Sequence, residues 1–257
     1  VFESLALLVV AFEVSQGLAR YFIEEESHEK RIAYASTALW FTVLCFSVFL
    51  TICFVFSSSL ALIVLTTSGL DQEFKVGAIY IAVNGIYLLT MTQLRFELRS
   101  LDYAKVSVAT FSTTAVTSIS LAYFFDWGLM GMIVGLLVGS FTGLVLAFIK
   151  LRNSYYFGFD IGILRKMLFF SLPLVPSAAA VFISGYVDRM MISHFLSLEE
   201  VGLYGMGFRV AAIVSLLLVG FNRALVPLIY KHHKEEDSPQ KIADLFRFFM
   251  AFALLFF

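Results

Sequence analysis

Charge is what this sequence has least of. Only 14% of its 257 residues are Asp, Glu, Lys or Arg, and the formal net charge is −1. Soluble domains carry roughly a quarter charged residues, so this composition does not suit an ordinary water-facing surface. The small net charge and the lack of a basic patch interleaved with aromatics argue against nucleic acid as a partner. Cysteine is almost missing as well. Cys45 and Cys53 share one apolar segment more than two helical turns apart, too far for a disulfide, and read as small apolar fillers. The histidines (His28, His194, His232, His233) have no partners at metal-ligand spacing, so neither a metal nor a cofactor is expected.

What is present is apolar bulk: 60% hydrophobic residues, with 29 phenylalanines. Apolar runs of roughly 20 residues recur, each long enough to cross ~30 Å of hydrocarbon as a helix. The expected fold class is therefore all-α, a polytopic helical membrane protein. Spans are expected near 1–19, 34–56, 76–94, 104–125, 128–149, 167–195, 203–229 and 245–257. The stretch 57–68 is too short to span again and reads as a helix extension or interfacial turn. The chain opens at Val1 and stops inside "FFMAFALLFF", which reads as a piece of a longer protein.

Alternate connections carry the basic residues: Arg20, Lys30 and Arg31; Arg95, Arg99 and Lys105; Lys150, Arg152, Arg165 and Lys166; and Arg223, Lys231, Lys234, Lys241 and Arg247. Of the others, only Lys75 lies in an opposite connection. By the positive-inside rule the basic side is cytoplasmic. Tyr155, Tyr156 and Phe157 at one boundary, and Phe124, Phe125 and Trp127 at the other, fit interfacial aromatic belts. Gly131, Gly135, Gly139 and Gly143 repeat every four residues, which favours tight helix packing over a sliding surface. Span 104–125 is rich in Ser and Thr, whose hydroxyls can be satisfied within the helix.

A charge at mid-bilayer costs ~2.5–3.5 kcal/mol, so each intramembrane charge is a functional candidate. Ser177, Ser184 and Asp188 share a face of span 167–195, with Arg189 turned about 100° away and able to snorkel outward. Glu13, Gln16, Gly17 and Arg20 form an i, i+3, i+4, i+7 stripe on span 1–19, which also carries Glu3. Arg209 and Arg223 lie near one face of span 203–229. Asp188 and Arg209 both fall roughly 10 Å below the outer surface at ~1.5 Å per residue. Two readings stay open there: a pair that clamps two helices, or charges lining a cavity. Arg20 and Arg223 sit at the cytoplasmic rim, where positive-inside anchoring competes with a pathway role.

Residues 1–21 match 207–227 weakly, with Phe2 over Phe208, Glu3 over Arg209, Ala6 over Ala212 and Gln16 over Asn222. Both segments run in the same direction and are separated by an even number of helices. A parallel repeat of this kind is one plan of secondary transporters, with the substrate between the halves. The expected halves here are an N-terminal lobe, 1–150, and a C-terminal lobe, 151–257, both partial.

The segment 171–231, with "SLPLVPS", the intramembrane "DR" of 188–189, "LSLEEVGLYG" and "ALVPLIYK", resembles the polysaccharide flippase branch of the multidrug/oligosaccharidyl-lipid/polysaccharide exporter superfamily. "GLARYFIEEE" resembles the end of the second helix in that family. The resemblance implies about 12 to 14 helices in two parallel lobes around a central cavity. It also implies transport of undecaprenyl-diphosphate-linked oligosaccharide, such as an O-antigen repeat unit, from the cytoplasmic to the outer leaflet of the bacterial inner membrane. Arg209, Arg20 and Arg223 become candidates for diphosphate or acidic-sugar contact, since Arg binds phosphate well. Asp188 and Glu13 become candidates for coupling to H+ or Na+ or for holding the lobes together. Implied partners are the lipid-linked substrate, the bilayer and the polysaccharide polymerase machinery. On the parallel-repeat reading, with six helices in each half, the sequence lacks the first helix and roughly the last three or four. Two alternatives stand beside it: a cation-coupled drug antiporter, favoured by Glu3 and Glu13, and a polytopic glycan-assembly enzyme. The enzyme would need a catalytic outer loop, and the outer connections are only a few residues long.

Overall fold

The computed structural model describes residues 2–10, 12–65, 69–197, 199–212 and 247. These residues are helical or in short connections, with no strand among them. In chain order the helices are α1 (Phe2–Val10), α2 (Val14–Glu24), α3 (His28–Val55), α4 (Ser57–Leu65), α5 (Asp71–Phe96), α6 (Ser100–Ile119), α7 (Gly128–Lys150), α8 (Ile161–Ser171) and α9 (Val175–Phe195). Residues 199–212 are also helical, labelled α10. Among the described residues five helical segments are long and apolar enough to cross a membrane, or six if the bent pair α1–α2 is one span. The protein is thus a polytopic helical membrane protein.

Several expected spans lengthen by a few residues because polar helix formers extend them beyond the hydrocarbon. The helix expected at 34–56 begins at His28, and that at 76–94 runs over Asp71–Phe96. The span expected at 167–195 begins at Ile161, where Asp160 caps it: its Oδ1 accepts from the Gly162 and Ile163 amides at 2.7 and 3.0 Å. A 3-10 turn at Leu172–Leu174 interrupts it at Pro173, since proline lacks the amide an α-helix would use. The stretch expected as an extension or turn after residue 56 contains a separate helix, α4. The continuous helix expected at 1–19 is corrected. Phe12 and Glu13 adopt left-handed backbone (φ 47° and 51°), and α1 and α2 meet at a bend of 50°. The expected spans beyond residue 212 lie outside the described residues.

The chain divides into two compact units, one up to Ile183 and one from Ser184 onward. In the first, α2, α3, α5 and α8 bury Val14, Leu18, Phe22, Ala38, Leu39, Leu89 and Met167 together. Gly17 permits the approach of α2 to α8, for a Cβ there would lie 2.6 Å from the Met167 carbonyl oxygen.

The α6–α7 interface is a zipper of small groups. Gly131 faces the backbone of Leu121 and Ala122, Gly135 faces Ser118, Gly139 faces Thr114, and Gly143 faces Thr110 and Tyr87. The hydroxyls are satisfied mainly within α6: Thr110 donates to the Val106 carbonyl at 2.9 Å and Thr117 to that of Thr113 at 2.6 Å. Thr117 and Ser118 also reach the Gly135 and Met132 carbonyls at 3.3 and 3.4 Å. Close packing, the reading favoured from the four-residue repeat, is what the interface contains. On α6, Val108, Phe111 and Val116 are exposed, as suits a face turned to lipid.

Candidate functional site

In the first unit, Glu3 of α1 meets Tyr80 and Asn84 of α5. These two are four residues apart and so share a helix face. The Tyr80 hydroxyl donates to Glu3 Oε1 at 2.7 Å, and Asn84 Nδ2 donates to the same oxygen at 2.9 Å. Ser140 of α7, only 6% exposed, donates to Asn84 Oδ1 at 3.4 Å. A polar chain therefore joins three apolar helices. Counted from residue 76, where the apolar part of α5 begins, Tyr80 and Asn84 lie about 6 and 12 Å along the helix, and Ser140 lies about 18 Å from the start of α7, at ~1.5 Å per residue. The network thus lies within the apolar stretches of both helices.

The α1–α2 bend lies beside a cavity of about 140 Å³ lined by Leu7, Val14, Ser15, Thr42, Gly85 and Thr92, among others. Thr42 is 1% exposed, and its hydroxyl has no hydrogen-bond partner among the described residues. The bend also dismantles the expected Glu13–Gln16–Gly17–Arg20 stripe. Glu13 stands at the left-handed turn rather than in a helix, and Gln16 reaches its carboxylate only at 3.5 Å. Gly17 is buried against α8, whereas Gln16 and Arg20 are exposed. Arg20 pairs with Glu24 at 3.5 Å and lies over the Phe170 ring at 4.6 Å, which holds its guanidinium near the C-terminal end of α2.

On the same side, the connection 151–160 folds over α3. The Tyr156 amide donates to Ser36 Oγ at 3.0 Å, the Asp160 amide to Thr37 Oγ1 at 3.3 Å, and Trp40 Nε1 to the Tyr156 carbonyl at 3.4 Å. A groove of about 580 Å³ opens there between Trp40, Leu44, Ser47, Phe157 and Phe159. Tyr155 turns inward, and burial pushes its phenol up from the ordinary tyrosine range.

In the second unit, the α9–α10 hairpin settles the neighbours of the charged pair. Tyr204 donates to Asp188 Oδ2 at 2.8 Å. Arg189 lies over the Phe208 ring at 4.6 Å and the Tyr186 ring at 5.5 Å. The expected contact between Asp188 and Arg209 does not form, because Tyr204 and Phe208 occupy the face of α10 that meets α9. Arg209 follows Phe208 by about 100° around the helix. It is exposed, with no hydrogen-bond or ion-pair partner among the described residues. Ser184 is exposed on α9, and Arg223 lies outside the described residues.

Reading the sequence for charges missed Tyr80, Asn84, Ser140 and Tyr204. The signal available was Asn84, a carboxamide inside "GAIYIAVNGIYLL" that needs a partner in hydrocarbon. Its i−4 neighbour Tyr80 points to the same face.

The chain matches the family described as polysaccharide biosynthesis protein over residues 4–256. It is 25% identical to "Lsg locus putative protein 1" of Haemophilus influenzae over 241 residues, covering 91% of this chain and 57% of that protein. It is also 24% identical to an "Uncharacterized membrane protein" of the same organism over 186 residues, covering 69% of this chain and 45% of the relative. The chain thus spans about half the length of these curated relatives. No solved structure matches it.

Proposed function

This chain belongs to the polysaccharide biosynthesis protein family, and we propose that it moves undecaprenyl-diphosphate-linked oligosaccharide repeat units across the bacterial cytoplasmic membrane. Transport runs from the cytoplasmic to the outer leaflet, by alternating access between two helical lobes of which residues 1–150 and 151–257 are parts. The product serves surface polysaccharide assembly such as O-antigen, with the polymerase machinery as the downstream partner. The observation that carries this reading is Arg209. The two charges beside it are already engaged, Asp188 by Tyr204 and Arg189 by aromatic rings, while Arg209 is exposed and without a protein counter-charge among the described residues. A guanidinium in an apolar helix needs an anion, and a diphosphate suits its planar fork. Arg20 and Arg223 are the further cationic contacts of this pathway at its cytoplasmic end.

Substitution tests the assignment. Arg209→Ala lowers glycan export at least about tenfold, the scale of one lost charge-assisted hydrogen bond, while protein amounts stay near wild type. Arg209→Lys retains part of the activity. Unchanged export in Arg209→Ala removes this residue from the pathway.

A further inference from the structure

We propose that the groove between α3 and the connection 151–160 binds an anionic glycerophospholipid of the bilayer, one acyl chain lying in the groove and the headgroup on the basic side. The wall asks for a hydrocarbon occupant. Trp40, Leu44, Phe157 and Phe159 line most of its volume of about 580 Å³. The polar donors along it are already engaged. Trp40 Nε1 donates to the Tyr156 carbonyl at 3.4 Å, Ser47 Oγ to the Val43 carbonyl at 2.8 Å, and the Gly158 amide to the Tyr156 carbonyl at 3.0 Å. A polar ligand would find few donors there, whereas a hydrocarbon chain gives up nothing on entering.

This is a built groove, not a plain lipid-facing helix surface. The connection stands on α3 through two further bonds, from the Tyr156 amide to Ser36 Oγ at 3.0 Å and from the Asp160 amide to Thr37 Oγ1 at 3.3 Å. The Phe157 ring meets Trp40 edge-on at 4.8 Å and is nevertheless 90% exposed. An aromatic wall held in that position gains by being covered with hydrocarbon. Counted from residue 34, near the start of the apolar part of α3, Trp40 and Ser47 lie about 9 and 20 Å along the helix at ~1.5 Å per residue. Those are acyl-chain depths in a hydrocarbon core ~30 Å thick.

Charge selects the headgroup. Residues 151–166 hold three cations, Arg152, Arg165 and Lys166, and one acid, Asp160, whose Oδ1 is engaged as the α8 cap. All three cations are exposed, and none forms an ion pair among the described residues. Unpaired Lys and Arg beside a membrane surface attract anionic lipid. A cavity of about 150 Å³ holds a benzene, so a groove about four times larger has room for one long chain. Phospholipid is the solvent of this surface, in large excess over any carrier lipid, and mass action favours it as the occupant. The assignment does not rest on the transport reading.

The test uses the intact protein in maltoside micelles with Trp127→Phe, which leaves Trp40 as the one tryptophan of this sequence. Phospholipid brominated on its acyl chains quenches tryptophan fluorescence on contact. Brominated phosphatidylglycerol should half-quench Trp40 at a mole fraction at least about fivefold lower than brominated phosphatidylcholine with the same chains, the scale of one cation near a membrane surface. Ser47→Phe fills the floor of the groove and should raise the phosphatidylglycerol requirement several-fold, with helix content by circular dichroism unchanged. Arg152→Gln, Arg165→Gln and Lys166→Gln together should bring the two lipids level and leave the phosphatidylcholine curve where it was. Four results overturn the proposal. They are equal quenching by the two lipids in the parent protein, a folded Ser47→Phe protein quenched as readily as its parent, and a phosphatidylglycerol preference that survives loss of the three cations. The fourth is displacement of the brominated lipid by undecaprenyl phosphate at a lower mole fraction than by unlabelled phosphatidylglycerol, which would give the groove to a carrier lipid. The first three have no bearing on glycan export, and the fourth leaves the transport reading intact, so the two fail separately.

Discussion

Tyr204 occupies Asp188: its hydroxyl donates to the carboxylate at 2.8 Å across the α9–α10 hairpin. Depth along the two helices made Arg209 an equally good partner, but rotation decides. Tyr204 and Phe208 are one turn apart and face α9 together, with Phe208 receiving Arg189 against its ring.

An exchange of charges between positions 188 and 209 is therefore expected to fail. Asp188→Arg combined with Arg209→Asp should display no more surface glycan than the worse single variant. Restoration of export by the double variant would mean that the two side chains are partners after all.

The α6–α7 zipper leaves no room for a methyl group. A Cβ at Gly131 would lie 2.7 Å from the Ala122 amide nitrogen, a backbone atom that cannot rotate away. Gly131→Ala should destabilise the protein by about 1–3 kcal/mol, the usual range for overpacking. Gly77→Ala meets nothing within 4 Å and should be neutral or slightly stabilising. Melting temperatures of the two variants in one detergent decide the matter.

Asp160 caps α8 with two amide bonds. Asp160→Ala should cost about 0.5–2 kcal/mol, and Asp160→Asn or Asp160→Ser should recover most of it. A thermal melt of the three variants checks the ranking; equal stability of all three would show that the cap contributes nothing.

Arg20 tests whether a rim cation anchors or handles substrate. Its guanidinium lies 4.6 Å from the Phe170 ring centre and is exposed. Arg20→Lys keeps the charge but loses the planar stacking and the fork. If Arg20 contacts diphosphate, Arg20→Lys should export several-fold less than wild type at equal protein amounts. Wild-type export would leave Arg20 as a topological anchor.

Much of this fold was legible because hydrocarbon imposes a simple rule: long apolar runs become helices, and their ends move only by a few residues. The Gly131–Gly143 repeat was legible for the same reason, since small residues at four-residue spacing bring backbones together whatever the partner. The break at Phe12–Glu13 was not, because "VVAFEVSQ" contains no glycine or proline and its left-handed turn is set by packing. The site was half visible. Charges stand out in an apolar sequence, so Glu3, Asp188 and Arg209 were found at once. Their partners were not, because Tyr80, Asn84, Ser140 and Tyr204 are ordinary residues whose role comes from which faces meet. Helical spacing gives the face; it does not give the neighbour.

The most direct test of the central claim is the location of lipid-linked repeat units in cells that lack this protein. Intact cells probed from outside, and inverted vesicles probed from the cytoplasmic face, separate the two leaflets. The transport reading predicts that completed diphosphate-linked units accumulate on the cytoplasmic leaflet and that the outer leaflet is depleted. Units still reaching the outer leaflet at the wild-type rate, or units left incomplete in their sugars, would contradict it.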